Sequence, residues 1–226
     1  RDAVDILVDL SGHSKGNRLL VFARKPAPIQ VTAWGHTGGT GLPAVDYQFT
    51  DPVMVPPEVR HLFAEASVDL PCSITFEAPP DTPEVTGPPV LSRGAITFGS
   101  LNRLNKTSPE ALRLWARILR AVPGSRLLLK DVALDEAHTR DALLETLSGL
   151  GVDPDRVDLR GFSDRRSHLA TYGEIDIAFD TFPQNGGITT WEALWMGVPV
   201  LALVRDRPAC RLSAAILHAV GLDSWV

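Results

Sequence analysis

Residues 95–131 read AITFGSLNRLNKTSPEALRLWARILRAVPGSRLLLKD. AITFGSL is a run of strand length and strand composition. SPEALRLWARILRAV spaces its apolar residues at helical intervals, with Ser108 at the N-cap and Pro109 at the first helical position. SRLLLKD is again a short apolar run. Strand, helix and strand in succession imply parallel strands joined by a crossover helix.

The same alternation continues on the C-terminal side. HTRDALLETLSGLG is an amphipathic helix closed by Gly149 and Gly151. RVDLRGF, DIAFDTF and VPVLALV read as strands; RSHLATYGE, TTWEALWMG and CRLSAAILHAVG read as helices. On the N-terminal side, TFEAPPDTPEVTGPPVLSRG (75–94) is aperiodic, acidic and rich in Pro, as a linker is. Before it, VDILVDLSGH reads as a strand buried on both faces, followed by a short helix (NRLLVFARK) and the strands IQVTAW, VDYQFTD and SVDLP. VPPEVRHLFAE opens like a helix on its Pro residues. The expected organisation is an α/β fold of two Rossmann-like units, residues 1–75 and 95–226, joined by a linker over 76–94.

The chain has 226 residues, of which 44% are hydrophobic and 22% charged, enough for a sizeable core and too apolar for wholesale disorder. Its net charge of −5 argues against sequence-independent nucleic-acid binding, which needs a basic surface. Cys72 and Cys210 stand far apart without metal-type spacing, so a disulfide framework is not expected and a reducing cytoplasm is the default compartment. No apolar run reaches the ~18 residues of a membrane span, and Arg1–Asp2 does not begin a signal peptide. The opening without Met and the ending just after a helix read as an internal segment of a longer protein.

In a parallel sheet, ligands bind beyond the carboxyl ends of the strands. Three loops of the second unit lie there: Asn102–Lys106, Ser163–His168 and Pro183–Thr190. In the last, Gly186 and Gly187 let backbone N–H groups approach an anion. Thr189 and Thr190 add hydroxyls, and the following helix start adds roughly half a positive charge. Lys106 can bring a full charge to a diphosphate, Glu192 can accept from a ribose diol, and His168 can stack on a base. Each has a plainer reading: a helix cap, a solvated lysine, an acidic residue favoured by the helix dipole, and a surface histidine. Trp191 and Trp195 read as helix packing. In the first unit, WGHTGGTGLP (34–43) is a glycine-rich loop after a strand, and His36 within it is either an acid–base group or an ordinary loop histidine. Asp46 and Asp51 read as turn caps. WGHTGGTG is not the dinucleotide fingerprint GxGxxG with an acidic residue twenty positions on.

Taken in order, DILVDLSGHSKGNRLLVFARKPAPIQVTAWGHTGGTGLPAVDYQFTD, FGSLNRLNKTSPEALRLWARILRAVPGSRLLLK and DIAFDTFPQNGGITTWEALWMGVPV resemble the catalytic region of O-linked N-acetylglucosamine transferases. This family includes bacterial tetratricopeptide-repeat homologues and plant SPINDLY-type proteins. The resemblance covers nearly the whole chain. It implies a GT-B fold, two Rossmann-like domains with the nucleotide sugar in the cleft between them, and inverting, metal-independent transfer from a UDP-sugar to Ser or Thr of acceptor proteins. No cofactor beyond the UDP-sugar donor, no nucleic-acid partner and no membrane is implied.

By the same resemblance, Lys106 neutralises the leaving diphosphate and Arg103 is its polar neighbour. His168 packs on uracil, Arg165 lies near the ribose, and Glu192 holds the ribose. Asn185, Gly186, Gly187, Thr189 and Thr190 form the phosphate turn. Gly35 and His36 border the sugar and the acceptor, and Lys106 and His36 are the catalytic candidates. Two departures stand out: Ile188 cannot donate a hydroxyl, and WGHTGGTG replaces a loop that usually carries Tyr-Pro. The family's histidine near the reaction centre and its helical repeats lie upstream of Arg1. Competing expectations are a UDP-glucose-dependent N-glucosyltransferase, a noncatalytic UDP-binding relative, and an unrelated two-domain nucleotide-binding protein.

Overall fold

A computed structural model describes residues 3–226; Arg1 and Asp2, which open the expected N-terminal unit, lie outside the described residues. The chain divides into two compact units, Arg1–Thr75 with Arg205–Asp223, and Phe76–Val204 with Ser224–Val226.

The first unit carries a four-stranded sheet, β1 (Ile6–Asp9), β2 (Ile29–Thr32), β3 (Tyr47–Thr50) and β4 (Ala66–Asp69), in that spatial order and parallel throughout. Buried carboxylates brace its turns. Asp51 accepts from the N–H groups of Val53, Met54 and Ser73 at 2.7 to 3.0 Å, which bears out its reading as a cap. Asp9 does the same for Ser11 and Gly12 and also accepts from the Thr32 hydroxyl at 3.0 Å. One expectation fails. β1 is not buried on both faces: Ile6 is 56% and Val8 40% exposed, and these two, alternate along the strand, share one open face. The stretch that opens on Pro56 and Pro57 forms a 3₁₀ helix, Pro57–Leu62, rather than an α-helix.

The second sheet has the order β7-β6-β5-β8-β9, again all parallel. Its strands are β5 (Thr97–Ser100), β6 (Arg126–Lys130), β7 (Val157–Arg160), β8 (Ile177–Phe179) and β9 (Val200–Leu201). The α-helices of the chain are α1 (Leu19–Phe22), α2 (Val90–Arg93), α3 (Pro109–Ala121), α4 (Ala137–Gly149), α5 (Arg165–Ala170), α6 (Ile188–Trp195) and α7 (Leu212–Ala219). Ser108 caps α3 as its sequence demands, accepting from the Ala111 N–H at 3.1 Å. The apolar face of α3 buries Ala111, Leu112, Trp115, Ala116 and Leu119. Trp115 stacks on Phe179 at 5.6 Å and Phe179 on Phe98 at 4.7 Å, so helix and strands share one aromatic column. Burying such side chains contributes roughly 2–3 kcal/mol each.

Two features differ from the sequence expectation. The stretch 76–94 is grouped with the second unit and contains α2. Asp176 anchors that helix, accepting from the N–H groups of Val90 and Thr97 at 2.8 Å each. Trp191 stacks on Phe76 at 6.0 Å, and the indole of Trp195 donates to Thr82 at 3.3 Å, so the helix-packing reading of both tryptophans stands and the partner is this same stretch. At the other end, α7 is grouped with the first unit, because Ala215 and Leu212 pack with Met54, Val55 and Phe63. The Arg211 guanidinium donates to the Val53 carbonyl at 2.6 Å there.

Candidate functional site

Strand order in the second sheet reverses between β5 and β8: the chain runs outward from β5 to β6 and β7, then returns to the other side of β5. Such a switch point leaves a crevice at the carboxyl ends of the two strands, because their crossovers depart to opposite faces. Two of the predicted loops open there, after β5 and after β8.

Lys106 closes a 3₁₀ turn, Leu104–Lys106, and its ammonium donates to the Asn185 carbonyl at 3.1 Å. Burial lowers its pKa, with Asp180 opposing and the nearby Arg103 charge assisting. Arg103 itself is exposed. Thr107 and Pro183 form a backbone bridge that joins the two loops. The Asn185 amide is fully buried and donates to the Thr181 carbonyl at 2.9 Å, and the Gly186 N–H donates to Asp180 at 2.7 Å. A Cβ on Gly186 would stand 2.5 Å from the Thr189 hydroxyl and 2.8 Å from that of Thr190, so only glycine fits.

α6 then starts with Gly187 as N-cap and no side-chain cap. By position, the N–H groups of Gly187, Ile188 and Thr189 have no intrahelical acceptor and form the positive end of the helix. The Thr189 hydroxyl, a candidate phosphate donor, instead donates to Asn102 at 2.7 Å. Thr190 is buried and Ile188 is half exposed. Asn102 and Asp180 shape this turn; Asn102 opens a loop the sequence placed here without a role for it, and Asp180 was not singled out. Both are strand-end residues, which is the signal that could have found them.

The third loop, after β7, supplies a second cluster. Asp164 caps α5, accepting from Ser167 N–H at 3.0 Å and from its hydroxyl at 2.6 Å, which holds Asp164 below the usual carboxylate range. From α5, the Arg165 guanidinium donates to Glu192 at 2.5 Å and His168 lies 3.5 Å from the other carboxylate oxygen. Glu192 is buried on α6. Burial raises its pKa, but the bonds from His168 and Arg165 outweigh it and hold the group lowered, hence ionised. Arg165, His168 and Glu192 thus form one cluster, and Lys106, Asn185, Gly186, Gly187, Thr189 and Thr190 another; α6 carries part of both.

Gly35 and His36 belong to the first unit. A Cβ on Gly35 would meet the Leu10 carbonyl at 2.4 Å, so the loop after β2 needs glycine to pass the loop after β1. His36 is exposed and faces the His13 ring edge-on at 5.3 Å; His13 Nε2 lies 3.1 Å from the Thr40 carbonyl oxygen. Among the described residues no group of three His, Cys, Asp or Glu side chains could hold a metal ion. Nor is any helix among them long and apolar enough to cross a membrane.

The family model for Glycosyl transferase family 41 matches residues 1–76 and 86–226. A protein of Solanum lycopersicum, named probable UDP-N-acetylglucosamine–peptide N-acetylglucosaminyltransferase SPINDLY, is 41% identical over 227 residues, covering 100% of this chain and 24% of the relative. The Arabidopsis thaliana protein of the same name is 42% identical, with 100% and 25% covered. A solved mutant of the Thermobaculum terrenum O-GlcNAc transferase superposes with a TM-score of 0.92 at 41% identity, covering 100% of this chain and 43% of that one. The chain spans about a quarter of the length of the curated relatives it matches.

Proposed function

Since this chain belongs to glycosyl transferase family 41 and has a GT-B type fold, we propose that it supplies the nucleotide-sugar-binding part of a protein O-glycosyltransferase. The donor in this reading is UDP-N-acetylglucosamine, as in the names of its relatives, and the acceptors are Ser or Thr hydroxyls. The observation that carries the reading is the cradle at the β5/β8 switch point. There, Lys106 lies against the Asn185 carbonyl, the Gly186 turn admits no side chain, and the start of α6 presents its N–H groups.

The chemistry follows from those groups. The acceptor hydroxyl attacks the anomeric carbon from the face opposite the diphosphate and passes its proton to solvent water. The bond from that carbon to the diphosphate oxygen breaks, and UDP leaves with the electron pair. Charge builds on the departing diphosphate, so donors fixed in advance at that point lower the barrier. Lys106 and the α6 start are such donors and can act without a metal ion. Glu192, held ionised by Arg165 and His168, would accept from the ribose hydroxyls, and His168 would pack on the base. Gly35 and His36 would border the sugar and acceptor.

The test is calorimetric titration of UDP into the chain and into Lys106→Ala. The expected result is binding that weakens by about 1.5–3 kcal/mol in the variant, the worth of a hydrogen bond to a charged group. Transfer from UDP-N-acetylglucosamine to an acceptor protein is then assayed. Absence of UDP binding by the folded chain would sink the reading.

A further inference from the structure

Arg113, Arg117 and Arg120 follow one another at helical spacing on α3, away from the apolar face that buries Leu112, Trp115 and Leu119, and all three are exposed. With Ala116 and the end of α4 (Gly149, Leu150 and Gly151) they wall a groove of about 400 Å³ that no carboxylate lines. Arg60, Arg93, Arg160 and Arg165 each pair with a carboxylate, whereas among the described residues these three guanidiniums have no ion pair or hydrogen bond. Like charges three and four positions apart repel and cost a helix stability.

The arginines do not cap α4. Its last carbonyls already accept from backbone N–H groups, Leu147 from Val152 at 3.0 Å and Ser148 from Gly151 at 2.9 Å, with Gly151 in the left-handed conformation at φ 81°. The Arg120 side chain passes over Gly151, its Cδ 3.4 Å from where a Cβ would stand, and so lies across the groove floor. Gly149 leaves the floor open beside it, since a Cβ there would meet nothing within 4 Å. The groove therefore presents three unsatisfied forks over a shallow apolar floor.

We propose that this groove docks an extended acidic stretch of a partner protein, its carboxylates seated on the three guanidiniums. Helical rise sets Arg117 about 6 Å along the axis from Arg113, and Arg120 about 4.5 Å further. Alternate side chains of an extended chain recur every ~6.6 Å on one face, so successive carboxylates meet successive arginines. Each guanidinium can hold a carboxylate bidentately. Beyond this row the net charge of −5 repels long polyanions and anionic membranes, which favours a short acidic segment over nucleic acid or lipid. The groove takes no part in the nucleotide reading above and stands or falls apart from it.

The experiment follows the fluorescence anisotropy of a labelled oligoglutamate peptide titrated with the chain and with Arg113→Gln/Arg117→Gln/Arg120→Gln. A second variant, Lys15→Gln/Arg24→Gln/Arg207→Gln, removes equal charge elsewhere. The expected result is binding about tenfold weaker in the groove variant, the sum of three modest exposed ion pairs, and little changed in the other. Raising salt from about 0.01 M to about 0.15 M should weaken binding to the unaltered chain, as the screening length falls from about 30 Å to about 8 Å. Urea unfolding should find the groove variant no less stable. No binding of oligoglutamate, or equal binding by the folded groove variant, overturns the proposal. A loss of stability in that variant also overturns it, because the arginines would then serve the fold. Inorganic phosphate, a single-stranded oligonucleotide and phosphatidylserine vesicles are titrated alongside. A tighter complex with any of these, lost in the groove variant, overturns the assignment to a protein partner.

Discussion

The Tyr172 hydroxyl donates to the Thr189 carbonyl across 3.1 Å. Through this bond the segment that follows α5 holds the first turn of α6, which lies between Glu192 and the Gly186 turn. Burial raises the Tyr172 pKa well above its ordinary value, and the hydroxyl stays protonated and donating. Tyr172→Phe keeps the ring packing and removes the bond. Stability should fall by about 1 kcal/mol in urea unfolding, and UDP affinity should fall with it; unchanged affinity would separate the two clusters.

Gly186→Ala tests the turn itself. The added methyl meets two threonine hydroxyls and the Asn102 carbonyl oxygen, the last at 3.0 Å. Repacking around an oversized group costs about 1–3 kcal/mol. UDP affinity should drop further than stability does, since the displaced atoms are those that would border the diphosphate in the proposed site. Titration and thermal unfolding of the same variant read both.

Glu192 predicts how stability responds to acid. Its folded pKa lies below its unfolded value, so its stabilising contribution is present above the ordinary glutamate range. That contribution is lost as pH falls through the lowered folded value. Glu192→Gln should therefore unfold with a shallower pH dependence below about pH 4.5. A curve parallel to that of the unaltered chain would count against the Arg165–Glu192–His168 cluster as drawn.

Lys106 behaves in the opposite sense. Its folded pKa is lowered, so between that value and the ordinary lysine range the unfolded chain binds more protons. Its contribution to stability rises with pH in that window. UDP affinity should fall over the same window as the cation is lost, and at lower pH than an ordinary lysine would allow. Lys106→Arg, charged throughout, should show no such fall in titrations run from neutral to alkaline pH.

Glycosyl transfer should continue undiminished in excess chelator, because Lys106 and the α6 start stabilise the leaving diphosphate in the proposed mechanism. A rate abolished by chelator and restored by a divalent cation would refute that part of it.

Much of the second unit was legible in the sequence because its signals are local. Ser108 and Pro109 announce α3, and the glycines before α6 announce a turn that needs a bare backbone. What local pattern cannot carry is which distant residues meet. Glu192 lies 27 positions from Arg165, and only the β7-to-β8 crossover brings their helices together. Lys130 reads as the last residue of a strand; its burial depends on Gly161, contributed by the neighbouring strand's loop. β1 reads as buried because its residues are apolar, yet hydrophobicity does not reveal whether anything covers each face of a strand. The first-unit membership of α7 was equally hidden, since an amphipathic helix does not name the surface it covers.

That return of α7 has a consequence for how the chain is made. Arg211 and Val53, bonded in the first unit, are 158 positions apart. A ribosome must release nearly the whole second unit before the first can close its last hydrophobic contacts. The first unit therefore has high contact order and should mature late, although it is synthesised first. Until α7 emerges, Met54 and Val55 lack their Ala215 cover and present an apolar surface. Deleting α7 should then harm the fold of the first unit, more than a hundred positions before it in sequence.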